Sequence, residues 1–150
     1  MNTDRTLVLE FLKGSARPLP ITSNPLACAL RGELIELDAE RGTALLAFAL
    51  DERSAQGAGV LQGGVLATLL DFAMAFAAHA RLARAEREFA TATLTVNLLR
   101  PAPVGRYLAR GRVVREGRKL LFADAELTAA SDATVVATAS AVLPLAVPDR

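Results

Sequence analysis

The segment from Gly63 to Ala85 constrains the fold most, because almost every residue in it is apolar. Large apolar side chains recur at helical spacing, and alanines fill most of the remaining positions. A helix that is apolar on all sides is usually enclosed by the rest of the protein. The segment therefore predicts one long buried helix, with a sheet curled around it.

A membrane-spanning helix is the competing interpretation of this region, since the stretch Val60–Ala78 is apolar throughout except near its start and middle. Asp71 lies at its middle, and an aspartate at the centre of a bilayer costs roughly 2.5–3.5 kcal/mol. The first residues, Met1–Leu12, lack the basic start and long apolar run of a signal peptide. We therefore expect a cytoplasmic protein that has no membrane partner.

The rest of the chain alternates between short periodic segments and turn residues. Residues 4–13 are typical of a short amphipathic helix, and residues 14–25 and 51–59 of connecting loops. The apolar or alternating pattern of β-strands is found in the segments Leu26–Leu37, Thr43–Leu50, Thr91–Leu98, Tyr107–Glu116, Lys119–Thr128 and Thr134–Leu143. The order of elements predicts the α+β class with an antiparallel sheet.

Alternation within two of these strands predicts which face meets the core. In Thr91–Leu98 the even positions are apolar and the odd positions are polar, so the even side should be buried. In Lys119–Thr128 the side with small or apolar residues should be buried; it consists of Leu121, Ala123, Ala125 and Leu127.

Length and composition favour a single domain over residues 1–150, with residues 1–24 as an N-terminal helix and loop. The chain has one cysteine, Cys28, and one histidine, His79. It therefore forms no intrachain disulfide and supplies no four-ligand structural zinc site, and we expect no metal. His79 falls at the end of the long helix, where we expect it near the surface.

Charge is distributed unevenly behind a net charge of +1. Residues 76–120 carry ten basic and three acidic groups, whereas the segments before and after are each net −3. Fifteen of the seventeen basic residues are arginine, which binds phosphate with a planar fork. The basic block indicates either a local anion site or a solvated strand face. It lacks the interleaved aromatic residues of a base-stacking surface, since Phe89 and Tyr107 are nearly alone there, so we expect no nucleic-acid partner.

Asp71 and the pair Gly63-Gly64 are the candidate functional residues. A carboxylate on an apolar helix is costly unless it is hydrogen-bonded, paired or functional. First-turn N–H groups at the glycines can face a ligand oxygen, as in an oxyanion site. A hydrogen-bonded aspartate at a wet edge, and glycines that ease a tight turn, are the structural alternatives. Eight helical residues span roughly 12 Å, so both groups can act on one carbonyl only if they come from two chains.

The run from Leu61 to Asp71 resembles the His-Gly-Gly-x(6)-Asp signature of the PaaI-type acyl-CoA thioesterases of the hotdog fold superfamily. The run Thr93–Ala102 and the pair Gly117-Arg118 resemble later segments of that family. The resemblance implies one hotdog domain, in which a long helix is wrapped by a curved antiparallel sheet. It also implies a homodimer or homotetramer that hydrolyses acyl-CoA thioesters without a cofactor, coenzyme A being part of the substrate.

The resemblance also implies roles for individual residues. The Gly63 N–H would hold the thioester carbonyl, and Asp71 of a partner chain would act as nucleophile or general base. Gln56 would position the attacking group. Four more residues are candidates for binding substrate, and the two arginines among them for the phosphates of CoA: Gln62, Gly64, Arg100 and Arg118.

Two departures from the family pattern keep other functions open. Gln62 stands in place of the family histidine and cannot carry a proton near neutral pH. Ala75 stands where the family pattern has a hydroxyl one turn beyond the carboxylate. A non-catalytic protein that binds acyl-CoA or an acyl carrier is therefore the main alternative. A hotdog dehydratase is less consistent with the sequence, because the required histidine would have to be His79, which lies off the motif.

Overall fold

The computed structural model describes residues 2–85 and 87–146. The helices are α1 (Thr3–Leu12), α2 (Pro25–Ala29) and α3 (Gly63–Arg81), with a 3₁₀ helix at Glu52–Ser54. The strands are β1 (Leu19–Pro20), β2 (Glu33–Asp38), β3 (Thr43–Leu50), β4 (Thr93–Leu98), β5 (Gly105–Glu116), β6 (Leu120–Ala129) and β7 (Val135–Pro144). The predicted domain limits at residues 1 and 150 lie outside the described residues.

Helix α3 forms the centre of the molecule. The described strands pair antiparallel in one sheet of order β1-β2-β3-β5-β6-β7-β4, and α3 packs against β2 through β7. Helix α1 covers another side of α3. The prediction of a buried long helix wrapped by an antiparallel sheet is therefore confirmed. The helix ends at Arg81, four residues before the predicted end.

Small residues allow the helix backbone to lie directly on the sheet. A side chain at Gly111 in β5 would collide with the backbone carbonyl of Ala73 in α3. The α3 alanines that face the sheet are fully buried, as are Leu121 and Leu127 of β6. The predicted inward face of β6 is thus confirmed. Close packing of this kind explains why the core holds so many alanines.

Two predictions for the region before β2 were wrong. The segment 26–37 begins as helix α2 and becomes a strand only at Glu33. Asn24 caps this helix by accepting hydrogen bonds from the N–H groups of Leu26 and Ala27, and Pro25 occupies the first helical position. The predicted loop 14–25 contains the short strand β1, which pairs with β2. Because Asn24 caps it, the segment after Asn24 forms a helix, although its apolar pattern predicted a strand.

Strand β4 is shorter and more exposed than the sequence predicts. It begins at Thr93 instead of Thr91, and it pairs with β7 along one edge only. Of its apolar even positions, Leu94 is 38% exposed and Leu98 is 53% exposed, while Val96 is half-buried. This side does face α3, because Val96 packs against the core and Leu98 lies beside Gly63, but its predicted burial was wrong. In the described part of the chain, the outer edge of β4 pairs with no other strand, and Leu94 and Leu98 are only partly covered.

By length and composition, α3 passes the usual test for a membrane-crossing helix, since its mean hydropathy reaches 1.4. The same window is 56% buried within the described protein. The position of α3 at the centre of the sheet accounts for its apolar composition.

His79 lies in the last turn of α3, but it is buried and not at the surface as predicted. Its side chain is 5% exposed, and its ring lies 4.6 Å from that of Phe89, between centroids. Burial lowers the pKa of His79 from 6.5 to about 4; Asp4 and Glu88 oppose this effect and Arg5 adds to it. The loop after α3, which carries Phe89, folds back over the helix end, and no local sequence pattern indicates this.

The buried His79 predicts a loss of stability in mild acid. Between pH 6.5 and 4 the unfolded chain binds a proton at this residue and the folded chain does not, so the free energy of unfolding falls as pH falls. The pKa difference corresponds to roughly 3 kcal/mol. Urea titrations of wild type and His79→Leu at pH 7, 5.5 and 4 measure this effect. The wild type should lose roughly 3 kcal/mol more than the variant, and parallel losses would contradict the assignment.

Candidate active site

A cleft of about 520 Å³ opens at the N-terminus of α3. Its wall combines the loop that leads into α3 with residues 98–102, which are the last residue of β4 and the four that follow it. Two backbone hydrogen bonds hold the entering loop: Leu61 N–H donates to Ala102 O at 2.7 Å, and Gln62 N–H donates to Ser54 O at 2.9 Å. The first of these bonds joins the entering loop to a distant segment of the chain, and the second holds the loop to the nearby 3₁₀ helix.

Gly63 and Gly64 begin α3 and leave its first turn open. Gln62 is the capping residue, but its side chain accepts no hydrogen bond from the helix. In the described chain, neither the Gly63 nor the Gly64 N–H donates to a protein acceptor. These free donors lie at the positive end of a 19-residue helix. Gly63 lines the cleft, so this end can stabilise a developing oxyanion.

A tight turn does not explain the two glycines, since neither has a positive φ. At Gly63 the reason is space: an added Cβ would lie 2.7 Å from the Cδ1 atom of Leu98. At Gly64 an added Cβ would meet nothing within 4 Å, and this residue is exposed outside the cleft lining. A methyl group at Gly63 would thus press on a cleft wall, whereas Gly64 faces space that the chain itself leaves empty.

Gln56 lies in the same cleft as Gln62 and Gly63. Its Oε1 accepts a hydrogen bond from Ala58 N–H at 2.7 Å, which fixes the orientation of the carboxamide. The backbone N–H of Gln56 donates to Val60 O at 2.7 Å. With the oxygen occupied, the Nε2 group remains the donor available to a ligand.

Asp71 lies further along α3 and does not line the cleft. Its half-buried carboxylate accepts, through Oδ1, a 2.9 Å hydrogen bond from the Thr91 hydroxyl. The intervening helix is unbroken, so Gly63 and Asp71 of one chain lie roughly 12 Å apart. One chain alone therefore does not bring the carboxylate to the glycine.

The two arginines that the sequence proposed for substrate binding lie in different places. Arg100 lines the cleft and is exposed. Arg118 lies in the β5–β6 turn, next to Glu116, which forms a 2.7 Å ion pair with Arg81 at the other end of α3. The structure thus groups Arg100 with Gln56, Gln62 and Gly63, and it separates Arg118 from them.

Three residues at the site were not identified from the sequence. Leu98 and Leu99 line the cleft with exposed side chains. Thr91, whose hydroxyl holds Asp71, falls on the polar side of the predicted strand 91–98, but the strand begins only at Thr93. Alternation applies only within a strand, so it could not predict where the Thr91 hydroxyl points.

An ion-pair cluster supports the loop that enters the cleft. Asp51 caps the 3₁₀ helix by accepting from Arg53 N–H, and its carboxylate also pairs with the side chains of Arg53 and Arg31. The side-chain hydrogen bond from Arg53, with its backbone bond and the charges of both arginines, holds the pKa of Asp51 well below its usual range.

Within residues 2–85 and 87–146, no cluster of three or more His, Cys, Asp and Glu side chains could hold a metal ion.

Comparison with known families agrees with this fold and site. A sequence model of the thioesterase superfamily matches residues 58–136, more than half of the chain, from the loop that leads into α3 to the start of β7. The chain belongs to the thioesterase superfamily, and its α+β architecture is the hotdog fold. The resemblance carried by residues 61–71 is thereby confirmed.

Individual relatives are similar in sequence or in fold. A protein of Saccharolobus solfataricus, named as a candidate esterase, is 32% identical over 85 residues, which are 57% of this chain and 55% of that protein. The match thus spans about half the length of this relative. A solved structure from Ralstonia eutropha JMP134, described as a candidate thioesterase related to phenylacetic acid degradation, is 29% identical with a TM-score of 0.78, covering 91% and 98% of the two chains.

The structural likeness extends to the PaaI protein from the phenylacetic acid degradation operon of E. coli. That structure has a TM-score of 0.76 and covers 97% of this chain and 96% of its own. At 19% identity, the likeness shows a shared fold.

Proposed function

We propose that this protein hydrolyses acyl-CoA thioesters to a free acid and CoA. Membership in the thioesterase superfamily supports thioester hydrolysis as the general class. The observation that carries the proposal is the unpaired Gly63 N–H, which lies in a cleft at the positive end of α3. Asp71 supplies a carboxylate on the same apolar helix. No cofactor is needed for this chemistry.

The proposed reaction places the thioester carbonyl oxygen against the Gly63 N–H. Asp71 then attacks the carbonyl carbon or removes a proton from a water that does so. In either route the carbonyl oxygen becomes an oxyanion held by the helix end, the carbon–sulfur bond breaks, and the CoA thiolate leaves and takes up a proton. Direct attack adds one step, in which water cleaves the acyl–Asp71 anhydride and regenerates the carboxylate.

Self-association completes the proposed site. Because about 12 Å separates Gly63 from Asp71 in one chain, the carboxylate is proposed to come from a second copy that lies antiparallel. The uncovered edge of β4, with exposed Leu94 and Leu98, supports contact with another chain on this side. A homodimer would then contain two equivalent sites, and a homotetramer two such dimers.

Gln56, Gln62 and Arg100 complete the proposed binding cleft. The free Nε2 of Gln56 is suited to holding the attacking group, and Gln62 retains a donor and an acceptor for the substrate. Arg100, at the cleft wall, is suited to the phosphates of CoA. Arg118 lies at the opposite end of its own α3, so it would reach CoA only in the cleft of the partner.

Turnover of the wild-type protein tests this proposal. We expect thiol release from at least one member of a panel of short, long and aryl acyl-CoA thioesters, and no cleavage of a CoA thioether.

The second candidate function is that of a binding protein without catalytic activity, and Gln62 in place of a histidine favours it. Micromolar or tighter binding of the thioether by calorimetry, with no turnover of any thioester, would support that candidate and contradict hydrolysis.

A further inference from the structure

We propose that Thr91 is a positioning residue. It holds the Asp71 carboxylate in one orientation, in which the free oxygen Oδ2 faces the thioester. The proposal rests on the function proposed above. The observation behind it is the 2.9 Å hydrogen bond from Thr91 Oγ1 to Asp71 Oδ1. This bond joins the central helix to the segment that precedes the edge strand β4.

The hydrogen bond makes the two oxygens of the Asp71 carboxylate inequivalent. Oδ1 is engaged by the hydroxyl, whereas Oδ2 has no hydrogen-bond partner in the described chain. An aspartate side chain otherwise turns freely about its last torsion, which is broad and roughly two-fold. The Thr91 hydroxyl removes that freedom, because a turn of the carboxylate would break a hydrogen bond to a charged group. Oδ2 is therefore the oxygen left for attack or proton removal.

Thr91 itself is held in place by the backbone on both sides of it. Ala90 N–H donates to Pro144 O at 3.3 Å, and Ala92 N–H donates to Val142 O at 3.0 Å. Two residues earlier, the ring of Phe89 packs against the buried His79. The hydroxyl thus projects from a segment tied to the end of β7 and to the end of α3. A hydroxyl on such a support can fix a carboxylate more precisely than one on a free loop.

Within α3, no hydroxyl bonds to the Asp71 carboxylate. Position 75, one turn beyond Asp71, is Ala75, so the helix offers no hydroxyl there. The nearby Thr68 hydroxyl is engaged with Gly64 O at 2.9 Å. The hydroxyl that holds Asp71 therefore comes from Thr91, outside the helix.

Replacement of Thr91 by valine tests the role, since valine keeps the β-branched shape and removes the hydroxyl. We expect kcat on the best acyl-CoA to fall roughly 10- to 100-fold, the effect of a lost hydrogen bond to a charged group, with KM unchanged and Tm lowered by a few degrees at most. Thr91→Ser should restore kcat to within about threefold of wild type, since it returns the donor. Thr43→Val, a matched change at the start of β3 and away from the cleft and from β4, should leave kcat unchanged.

Two results would overturn the inference. One is a kcat for Thr91→Val equal to that of the wild type; the other is a loss that Thr91→Ser does not restore. A crystal structure of Thr91→Val gives a readout that does not depend on activity. We expect the Asp71 carboxylate to be rotated or divided between two orientations, and an unchanged carboxylate would refute the positioning role. Absence of wild-type turnover would instead refute the proposed function, and the crystallographic comparison would still decide the role of Thr91.

Discussion

Replacement of Asp71 by asparagine is expected to lower kcat for acyl-CoA hydrolysis by roughly 10²- to 10⁴-fold, the usual contribution of a catalytic acid or base. The amide has nearly the same shape, and its oxygen can still accept the Thr91 hydrogen bond, but it neither attacks a carbonyl nor removes a proton from water. The affinity for a CoA thioether should stay near that of the wild type. Steady-state kinetics on the best acyl-CoA, with calorimetry on the thioether, measure both quantities.

A matched control separates the chemistry of Asp71 from a general loss of a carboxylate. Asp124 lies in β6 and forms a 2.8 Å ion pair with Arg112 in β5. Asp124→Asn should keep kcat within about twofold of the wild type, because exposed ion pairs contribute little to stability. Equal kcat in wild type and Asp71→Asn would contradict the role of Asp71. Equal losses in both variants would show a general effect on the fold.

Mixed dimers are expected to show whether the active site is shared between two chains. One chain carries Asp71→Asn and the other carries Gly63→Val, whose side chain would collide with Leu98 and cover the helix N–H. Each homodimer should be nearly inactive. If Gly63 of one chain acts with Asp71 of the other, the mixed dimer has one intact site, and it should show about half the wild-type activity per dimer. Two affinity tags allow the mixed dimer to be purified.

The reciprocal mixed dimer provides the control. Here one chain carries both substitutions and its partner is wild type, so every shared site lacks either the glycine or the aspartate. This dimer should be nearly inactive. The opposite pattern, with activity here and none in the first mixed dimer, would place Gly63 and Asp71 of the same chain in one site. A monomeric wild type in sedimentation experiments would exclude the shared site directly.

Local patterns in the sequence were sufficient to predict the main helix and most of the strands. The apolar run starting at Gly63 predicted α3, and alternation in β6 predicted that Leu121 and Leu127 face the core; the structure confirms both. Both signals depend on residues close together in the chain. In β4 the alternation predicted the side that faces α3 but not the exposure of Leu94 and Leu98, because the pattern shows which side is apolar and not what covers it.

Features that depend on distant segments could not be predicted. The burial of His79 requires the loop with Phe89 to fold over the end of α3. The sequence proposed Arg100 and Arg118 together, yet the length of β5 separates the second from the cleft. Neither result has a local signal, because each depends on where a segment distant in the chain lies relative to α3.

The sequence by itself determined the α+β class, the buried helix and the spacing between Gly63 and Asp71, because periodicity and helical rise are local properties of the chain. Only the tertiary structure decided that Gln56, Gly63 and Arg100 share one cleft, and that a hydroxyl from beyond the helix holds Asp71. The physical reason is that such contacts are made when the sheet closes around α3, and the packing of the whole core sets their geometry.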